Sequence, residues 1–373
     1  MLISSLDEIA QELVILPGVA PAAVIGAAFR CATGSAFELG LGAAFARGRF
    51  PGTAFSFFDL ASVSKPFLAT SAARLAKRGR LALEEPLAEF LPEAAGSPTG
   101  DLPLELLLAH RGGLEAHKNL FAPLLAECPV SKREACAVAC NARRPECVEP
   151  MPSSGYPPVY SDLGYLLVGF ALERRERLPL DEIVRREVCA PLALDIGSVR
   201  ALRAEHADFQ ARCAPTETIP FRGGELRGVV HDENAWAVSG HGSSGHAGLF
   251  GTAEAVLRFG CALLDAWHGR REEWLSAANL EPLVRERPLG TLRAGFDGKS
   301  TEQSSAGKLA GSRTFGHLGF TGTSLWCDPD ADRVAIMLTN RVCPSRENTR
   351  IRGARPAVHD ALFSWAGAGS SGF

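Results

Sequence analysis

Residues 58–67 read Phe-Asp-Leu-Ala-Ser-Val-Ser-Lys-Pro-Phe, and the organisation of the chain can be worked out from them. From Ser62 onward the apolar residues Phe67, Leu68, Ala72 and Leu75 recur at helical spacing until Gly79, so a helix is expected over 62–78. Pro66 falls near its start, where a missing N–H costs least. On such a helix Ser62 and Lys65, three apart, face the same way. A helix N-terminus favours negative charge, so it stabilises an oxyanion and is expected to depress the pKa of a nearby lysine. A serine hydroxyl is a poor nucleophile until a base takes its proton, and a lysine of lowered pKa can do so. By itself the pair reads at least as well as an ordinary N-cap serine. A second Ser-x-x-Lys, Ser305–Lys308, lies in a polar stretch without helical pattern and reads as chance.

Upstream, residues 19–30 and 36–46 read as two strands around a turn at Thr33–Gly34. Downstream, helices are expected near 84–91, 101–109, 131–142, 161–174 and 180–190, followed by a long irregular stretch over 195–252. Helices over 253–268 and 271–286 and strands near 291–296 and 313–318 come next. A hairpin pairs 322–327 with 333–339 across Asp328–Asp332, a helix covers 353–366, and Gly367–Phe373 reads as a frayed tail. The result is an α+β fold whose antiparallel sheet is built from both ends of the chain. It is flanked by helices, with an all-helical region inserted. The expected domains are 1–75 with 245–373 for the sheet and 76–244 for the helices, with a cleft between them.

The 373 residues are 46% hydrophobic and 22% charged, an ordinary globular balance. A net charge of -3 offers no basic face for nucleic acid or an anionic membrane. The apolar run Leu13–Phe29 is broken by Pro17 and Pro21 and follows Asp7, Glu8 and Glu12, which fits neither a spanning helix nor a secretory signal. A cytoplasmic protein is expected, and ten cysteines fit it as free thiols. Cys136 and Cys140 would share a helix face, but no C-x-x-C suggests structural zinc.

Two further stretches carry chemistry. Tyr160-Ser-Asp162 precedes the apolar segment Leu163–Leu172. A phenol near a cation can serve as base and then acid, although a helix cap beside a packed tyrosine reads as well. His317-Leu-Gly319-Phe-Thr-Gly322 lies on an expected strand, where Gly319 admits a substrate backbone and the Phe320 N–H can aim at an oxyanion. A lone His317 would otherwise be structural. His110-Arg-Gly112 and His246-Ala-Gly248 match His-x-Gly too, but off any expected strand. His110 is expected to hold its loop, and His231, His241 and His246 to belong to a polar loop lining the cleft rather than to a metal site. Gly240–Gly245 matches G-x-G-x-x-G without the strand a dinucleotide site needs. The Cys-bearing segment 118–155 is expected to form a lid over the cleft.

Taken together, Ser62-x-x-Lys65, Tyr160-Ser-Asp162 and His317-x-Gly319 make the sequence resemble the serine β-lactamase-related family. This family includes class C β-lactamases, D,D-peptidases, and esterases and D-amino-acid peptidases of the same fold. The surroundings Leu106–Leu114, Tyr160–Tyr165 and Gly245-His-Ala-Gly-Leu-Phe-Gly251 match as well. The resemblance implies a β-lactamase/D,D-peptidase-like fold and no metal or cofactor. It also implies that Ser62 attacks an acyl carbonyl, that Lys65 and Tyr160 share the proton work, and that the Ser62 and Phe320 N–H groups form the oxyanion hole. Asp162, His317 and Gly319 would then support or bind substrate. Two departures bear on substrate. Asp162 stands where class C enzymes carry Asn, which would favour the Lys65 ammonium and shift the base role toward Tyr160. His317 stands where β-lactamases carry Lys, so its grip on a carboxylate should be weaker. Both point to neutral esters or amides, and the leading expectation is a hydrolase whose small-molecule acyl substrate is a small ester, an amide or a D-amino-acid peptide. A β-lactamase or D,D-carboxypeptidase is the alternative enzyme, and a non-catalytic receptor or scaffold the alternative of another class. Oligomeric state stays open.

Overall fold

The computed structural model describes residues 5–31, 33, 34 and 36–370. Six strands form one antiparallel sheet: β1 (Ala22–Arg30), β2 (Phe37–Phe45), β3 (Asp297–Gly298), β4 (Phe315–Leu318), β5 (Ser324–Asp328) and β6 (Arg333–Thr339). Their spatial order is β2-β1-β6-β5-β4-β3. The two chain ends meet at β1 and β6, with Ala23 opposite Thr339 and Phe29 opposite Arg333. Beyond the ladder, the Ala22 N–H donates to Asn340 Oδ1 at 2.8 Å.

Both faces of this sheet are covered, and the alternation of β1 shows how. Ala23, Ile25, Ala27 and Phe29 join Trp326, Ala335 and Met337 under the terminal helices α1 (Leu6–Ala10) and α4 (Ile351–Ser370). Ala22, Val24 and Ala28 face the other way, with Leu325, Val334 and Ile336, onto α2 (Ser64–Lys77) and α3 (Ala253–Trp267). There Phe67 stacks on Phe259 at 4.0 Å between centroids, each ring contributing roughly 2–3 kcal/mol by leaving water. On β2, Gly40 and Gly42 keep the outer surface flat, since a Cβ would lie 2.2 Å from Trp365 and from the Leu6 backbone respectively. A smaller sheet joins Phe58–Asp59, Leu249–Gly251 and Ile196–Ser198 in that order. No helix among the described residues is long and apolar enough to cross a membrane.

Several expected elements differ. The stretch 195–252 is not irregular throughout, since it holds the strands Ile196–Ser198 and Leu249–Gly251 and the helices Val199–Glu205 and Glu233–Ser239. The helix expected near 84–91 reduces to a 3-10 turn, Leu87–Glu89, because Pro86 is extended at φ -68 and ψ 148. The helices expected over 101–109 and 271–286 shorten to Leu104–Leu108 and Ala277–Val284, the latter starting where Ser276 caps it. The strand expected near 291–296 forms instead at Asp297–Gly298. α4 begins at Ile351 and runs through Gly367 to Ser370, so that part of the expected frayed tail is helical, and 371–373 lie outside the described residues. α1 was not anticipated, although Ser5 and Glu8 form a capping box there.

Candidate active site

Ser62 sits in the 3-10 turn Ala61–Val63 that leads into α2, one step before the helix expected to contain it. Ala61, just ahead, is left-handed at φ 47, a conformation the surroundings must hold in place. Its N–H donates to Asp59 Oδ1 at 2.8 Å, and Asp59 Oδ2 accepts the His231 N–H at 2.7 Å. The Thr321 and Thr323 hydroxyls donate to the carbonyls of Asp59 (2.7 Å) and Leu60 (2.9 Å), tying the serine turn to the segment after β4. On the other side the Leu249 N–H donates to Ser64 Oγ at 3.2 Å.

Lys65 is fully buried, and its three ammonium hydrogens have three acceptors. Nζ lies 2.7 Å from Asp162 Oδ1, 2.9 Å from Ser62 Oγ and 3.2 Å from the His246 carbonyl. It also lies 4.8 Å from the centre of the Tyr160 ring and 5.3 Å from that of Tyr165. Burial pulls the Lys65 pKa down, but Asp162 and then Tyr160 outweigh it and hold it above the ordinary lysine value. The expected depression by the helix N-terminus is therefore reversed, because a carboxylate at hydrogen-bonding distance acts more strongly than a helix end. Burial likewise pushes the Tyr160 phenol up, with Lys65 only partly opposing it. The resting site thus holds an ammonium and a neutral phenol.

Asp162 opens the helix Asp162–Glu176. Burial would raise its carboxyl, yet Lys65 and then His246 hold it below the usual carboxylate range. Ser161, at the cap position, spends its hydroxyl on the Glu115 carbonyl (2.6 Å) and its N–H on His110 Nδ1 (2.9 Å). His110, left-handed at φ 60, stacks on the Tyr160 ring at 4.6 Å. Burial, then Lys65, keeps its pKa well below the ordinary histidine value.

His317 lies on β4 with Nδ1 2.8 Å from the Leu318 carbonyl. Burial and then Lys65 bring its pKa to about 3, so the imidazole is neutral and, with Nδ1 donating, offers Nε2 as an acceptor. Gly319 is required where it stands, because a Cβ would lie 1.9 Å from Thr323 Oγ1 and 2.6 Å from the Leu60 carbonyl. Phe320 follows, its exposed ring 5.8 Å from His231 and 4.3 Å from the Arg341 guanidinium. The Ser62 and Phe320 N–H groups have no hydrogen-bond partner among the described residues. Both residues line a cavity of about 580 Å³ whose wall includes Tyr160, Asp162 and His231. The structure thus brings Ser62, Lys65, Tyr160, Asp162, His317, Gly319 and Phe320 into one place. Two N–H donors and a hydroxyl beside an ammonium and a phenol can polarise a carbonyl and move protons across it.

Other expectations fall elsewhere. None of residues 118–155 lines the cavity, so that segment is no lid. Its helix Lys132–Cys140 turns Cys136 and Cys140 into the core instead. His231 reaches the cavity, while His246 is buried behind it and His241 lies away from it. Sequence reasoning missed a basic flank. Arg341, Arg352 and Arg355 line the cavity, and none has a carboxylate within ion-pair distance among the described residues. Arg355 Nη2 donates to the carbonyls of Gly319 (2.6 Å) and Thr323 (3.0 Å), and burial followed by Arg341 lowers its pKa to about 10. Arginines far from the three motifs carry no local signal of this placement. Sequence reasoning also missed the His246 carbonyl, although its stretch Gly245–Gly251 matches the family's surroundings.

A family model described as Beta-lactamase matches residues 6–358. A protein of Escherichia coli (strain K12) named "Putative D-alanyl-D-alanine carboxypeptidase" is 28% identical over 308 residues, covering 78% of this chain and 70% of that protein. A protein of the same name from Salmonella agona (strain SL483) is 27% identical over 346 residues, 84% of this chain and 76% of the other. Among solved structures, the hydrolase EstCE1, described as having promiscuous acyltransferase activity, superposes with a TM-score of 0.69 at 20% identity, covering 96% of this chain and 98% of that one. A class C β-lactamase from Rhodobacter sphaeroides gives a TM-score of 0.67 at 20% identity, covering 97% and 99%. At such identities the superpositions establish the fold, a β-lactamase-like antiparallel sheet flanked by helices.

Proposed function

The chain belongs to the Beta-lactamase family, and on that premise we propose that it is a serine hydrolase acting through an acyl-enzyme on Ser62, with small esters, amides or D-amino-acid peptides as substrates. The observation that carries this reading is the Ser62 hydroxyl, 2.9 Å from Lys65 Nζ, in a cavity lined by Ser62 and Phe320, whose N–H groups have no partner among the described residues. The substrate carbonyl oxygen sits between those two N–H groups, where charge developing on it is stabilised. Since Lys65 rests as an ammonium and Tyr160 as a phenol, the reactive form is the one in which this pair has lost one proton. That form places a phenolate beside an ammonium, and Tyr160 takes the Ser62 proton as Oγ attacks. Tyr160 then returns the proton to the leaving group, and a water molecule repeats the sequence in reverse to release the acid.

The neutral His317 favours uncharged substrates. A second enzymatic reading, β-lactamase or D,D-carboxypeptidase, is favoured by the guanidinium flank, since Arg341, Arg352 and Arg355 would receive a substrate carboxylate. A non-catalytic receptor would not require Ser62, Lys65 and Tyr160 together. Eight cysteines are buried thiols without a disulfide, which suits a reducing compartment and supports a cytoplasmic location.

The test is turnover of p-nitrophenyl acetate and butyrate by the wild type beside Ser62→Ala, followed by intact mass after a fluorophosphonate probe. Loss of turnover in the variant with a single adduct on Ser62 supports the reading. A variant that keeps its activity, or a wild type that never labels, overturns it. Stable labelling of Ser62 without ester turnover would instead favour the receptor. Faster hydrolysis of a chromogenic cephalosporin than of the esters would favour the second enzymatic reading.

A further inference from the structure

Beside Lys65 lies a carboxylate–imidazole pair that the mechanism above does not use, Asp232 at the cavity wall and His246 buried behind it. Asp232 caps the helix Glu233–Ser239, its Oδ1 accepting the Ala235 N–H at 2.8 Å. The same oxygen lies 3.0 Å from His246 Nε2, and His246 Nδ1 lies 3.1 Å from Ser244 Oγ. The imidazole, 3% exposed, is therefore held at both nitrogens. Its loop is pinned on either side. Gly245 packs so tightly on the Asp162–Glu176 helix that a Cβ would lie 1.8 Å from the Tyr165 carbonyl, and the Leu249 N–H bonds Ser64 Oγ at 3.2 Å. Between these anchors the His246 carbonyl points at Lys65 Nζ, 3.2 Å away.

We propose that Asp232 and His246 are positioning residues for the hydrolytic reaction: their pair fixes the His246 carbonyl as the third acceptor of the Lys65 ammonium. It thereby sets where Lys65 stands relative to Ser62 and the pH at which the Lys65–Tyr160 pair yields its proton. The proposal rests on the reading of Ser62 as nucleophile.

The physical argument starts from the cost of burying an ammonium, which is tolerable only when its hydrogens are accepted. A backbone carbonyl takes its direction from its loop. Backbone bonds hold this one, from the Ser244 N–H to the Ala247 carbonyl (2.9 Å) and from the Leu249 N–H to Ser64 Oγ (3.2 Å), while His246 itself is held by its two ring nitrogens. The other groups facing Lys65 are Ser62 from its own turn, Asp162, Tyr160 and Tyr165 from the neighbouring helix and its approach, His110 from the facing turn, His317 from β4 and, within its field, Asp232 itself. Around His246 stand Asp232, Ser244 and, within its field, Asp162. If the carbonyl swings away, the ammonium loses one acceptor while those groups stay, so the neutral amine is favoured and proton loss moves to lower pH.

Two substitutions separate positioning from helix capping. Asp232→Ser keeps a capping oxygen but is too short to reach the imidazole, whereas Asp232→Asn keeps both the cap and the reach. The readout is the second-order rate of Ser62 labelling by a fluorophosphonate probe in the full chain, followed by intact mass from pH 6 to 10.5. Asp232→Ser is expected to lower the high-pH rate about tenfold and to place the midpoint at least about half a unit to the acid side of Asp232→Asn, which has lost the same charge. Asp232→Asn should recover the wild-type rate to within about threefold, and His246→Ala should behave as Asp232→Ser does. Circular dichroism melts separate these effects from unfolding, and Asp232→Asn reports the pair even if the serine variant does not fold. A folded Asp232→Ser with the wild-type rate and midpoint overturns the proposal. So does an equal loss in both Asp232 variants with the same midpoint. A wild type that never labels on Ser62 is a different result and removes the nucleophile assignment itself.

Discussion

Asp162 Oδ1 stands 2.7 Å from Lys65 Nζ, nearer than the 2.9 Å that separates the same nitrogen from Ser62 Oγ. The lysine therefore answers first to a carboxylate and second to the serine it serves. This order explains why a buried lysine stays protonated here, and it makes loss of a proton from the Lys65–Tyr160 pair the event that starts a reaction.

Replacing that carboxylate tests the order directly. Lys65 sits above its ordinary value because Asp162 outweighs burial, so Asp162→Asn leaves burial in command and lowers the pH at which the pair loses its proton. The rising limb of kcat/KM against pH, measured with p-nitrophenyl acetate, should move toward acid by about one unit. Linkage gives the stability side. Lys65, raised, contributes stability below its unfolded value of 10.5 and loses it as pH climbs through the folded value. Asp162, depressed, contributes above its unfolded value of 3.8 and loses it as pH falls. The pair is thus intact across neutral pH, and a limb that stays in place would remove Asp162 from control of the proton.

Gly319→Ala should disable the oxyanion site while leaving Ser62 itself in the sequence. The new methyl group would meet Thr323 Oγ1 and the Leu60 carbonyl, and must push the Phe320 N–H away from the serine turn. A loss of kcat of about 100-fold is expected, the usual cost of one oxyanion donor. Ester turnover by a variant whose melting curve matches wild type is the check, and normal kcat there would separate Phe320 from the chemistry.

His317→Lys should change preference more than rate. A neutral imidazole becomes a cation beside a flank of arginines that have no carboxylate partner among the described residues. KM for a chromogenic cephalosporin, which carries a carboxylate, should fall about tenfold relative to KM for p-nitrophenyl butyrate. Equal changes for both substrates would mean that position 317 does not meet the carboxylate.

Glu217 ties the far wall of the cavity together. Its Oε2 lies 2.9 Å from His231 Nε2 and 2.6 Å from Arg346 Nε. Burial alone would lift this carboxyl, but the His231 and Arg346 hydrogen bonds bring its pKa to about 2. Such a depressed group stabilises the fold above its unfolded value of 4.5, and that contribution disappears as pH falls toward 2. Glu217→Gln should cost about 2 kcal/mol in urea unfolding at pH 7 and progressively less toward pH 3. A gap that does not shrink with acid would contradict the linkage.

The site was legible in the sequence to the extent that its parts are short motifs with fixed roles. Ser62 with Lys65 three residues on, Tyr160 with Asp162, and His317 with Gly319 each could be read locally. The strand pair 322–327 and 333–339 was likewise readable, because its apolar residues flank a turn rich in aspartate. What escaped was set by distant contacts. The sign of the Lys65 shift depends on how close Asp162 comes, which no spacing reveals. Arg352 and Arg355 reach the cavity only because α4 crosses the sheet, and Ile196–Ser198 forms a strand only because Leu249–Gly251 lies beside it. Ser5 and Glu8, by contrast, carry a local signal for the first helix, the reciprocal cap.

The meeting of β1 with β6 has a consequence for how this protein must be made. During synthesis the hairpin of β1 and β2 leaves the ribosome long before Arg333–Thr339 exists to pair with it. Until then β1, buried along nearly its whole length in the finished protein, presents an open apolar edge. The nascent chain thus spends most of its emergence adhesive and chemically inert, since Phe320 reaches Ser62 only when the tail arrives. Growth conditions that slow the ribosome over the last third of the message should therefore cost yield through clumping rather than produce a weakened enzyme.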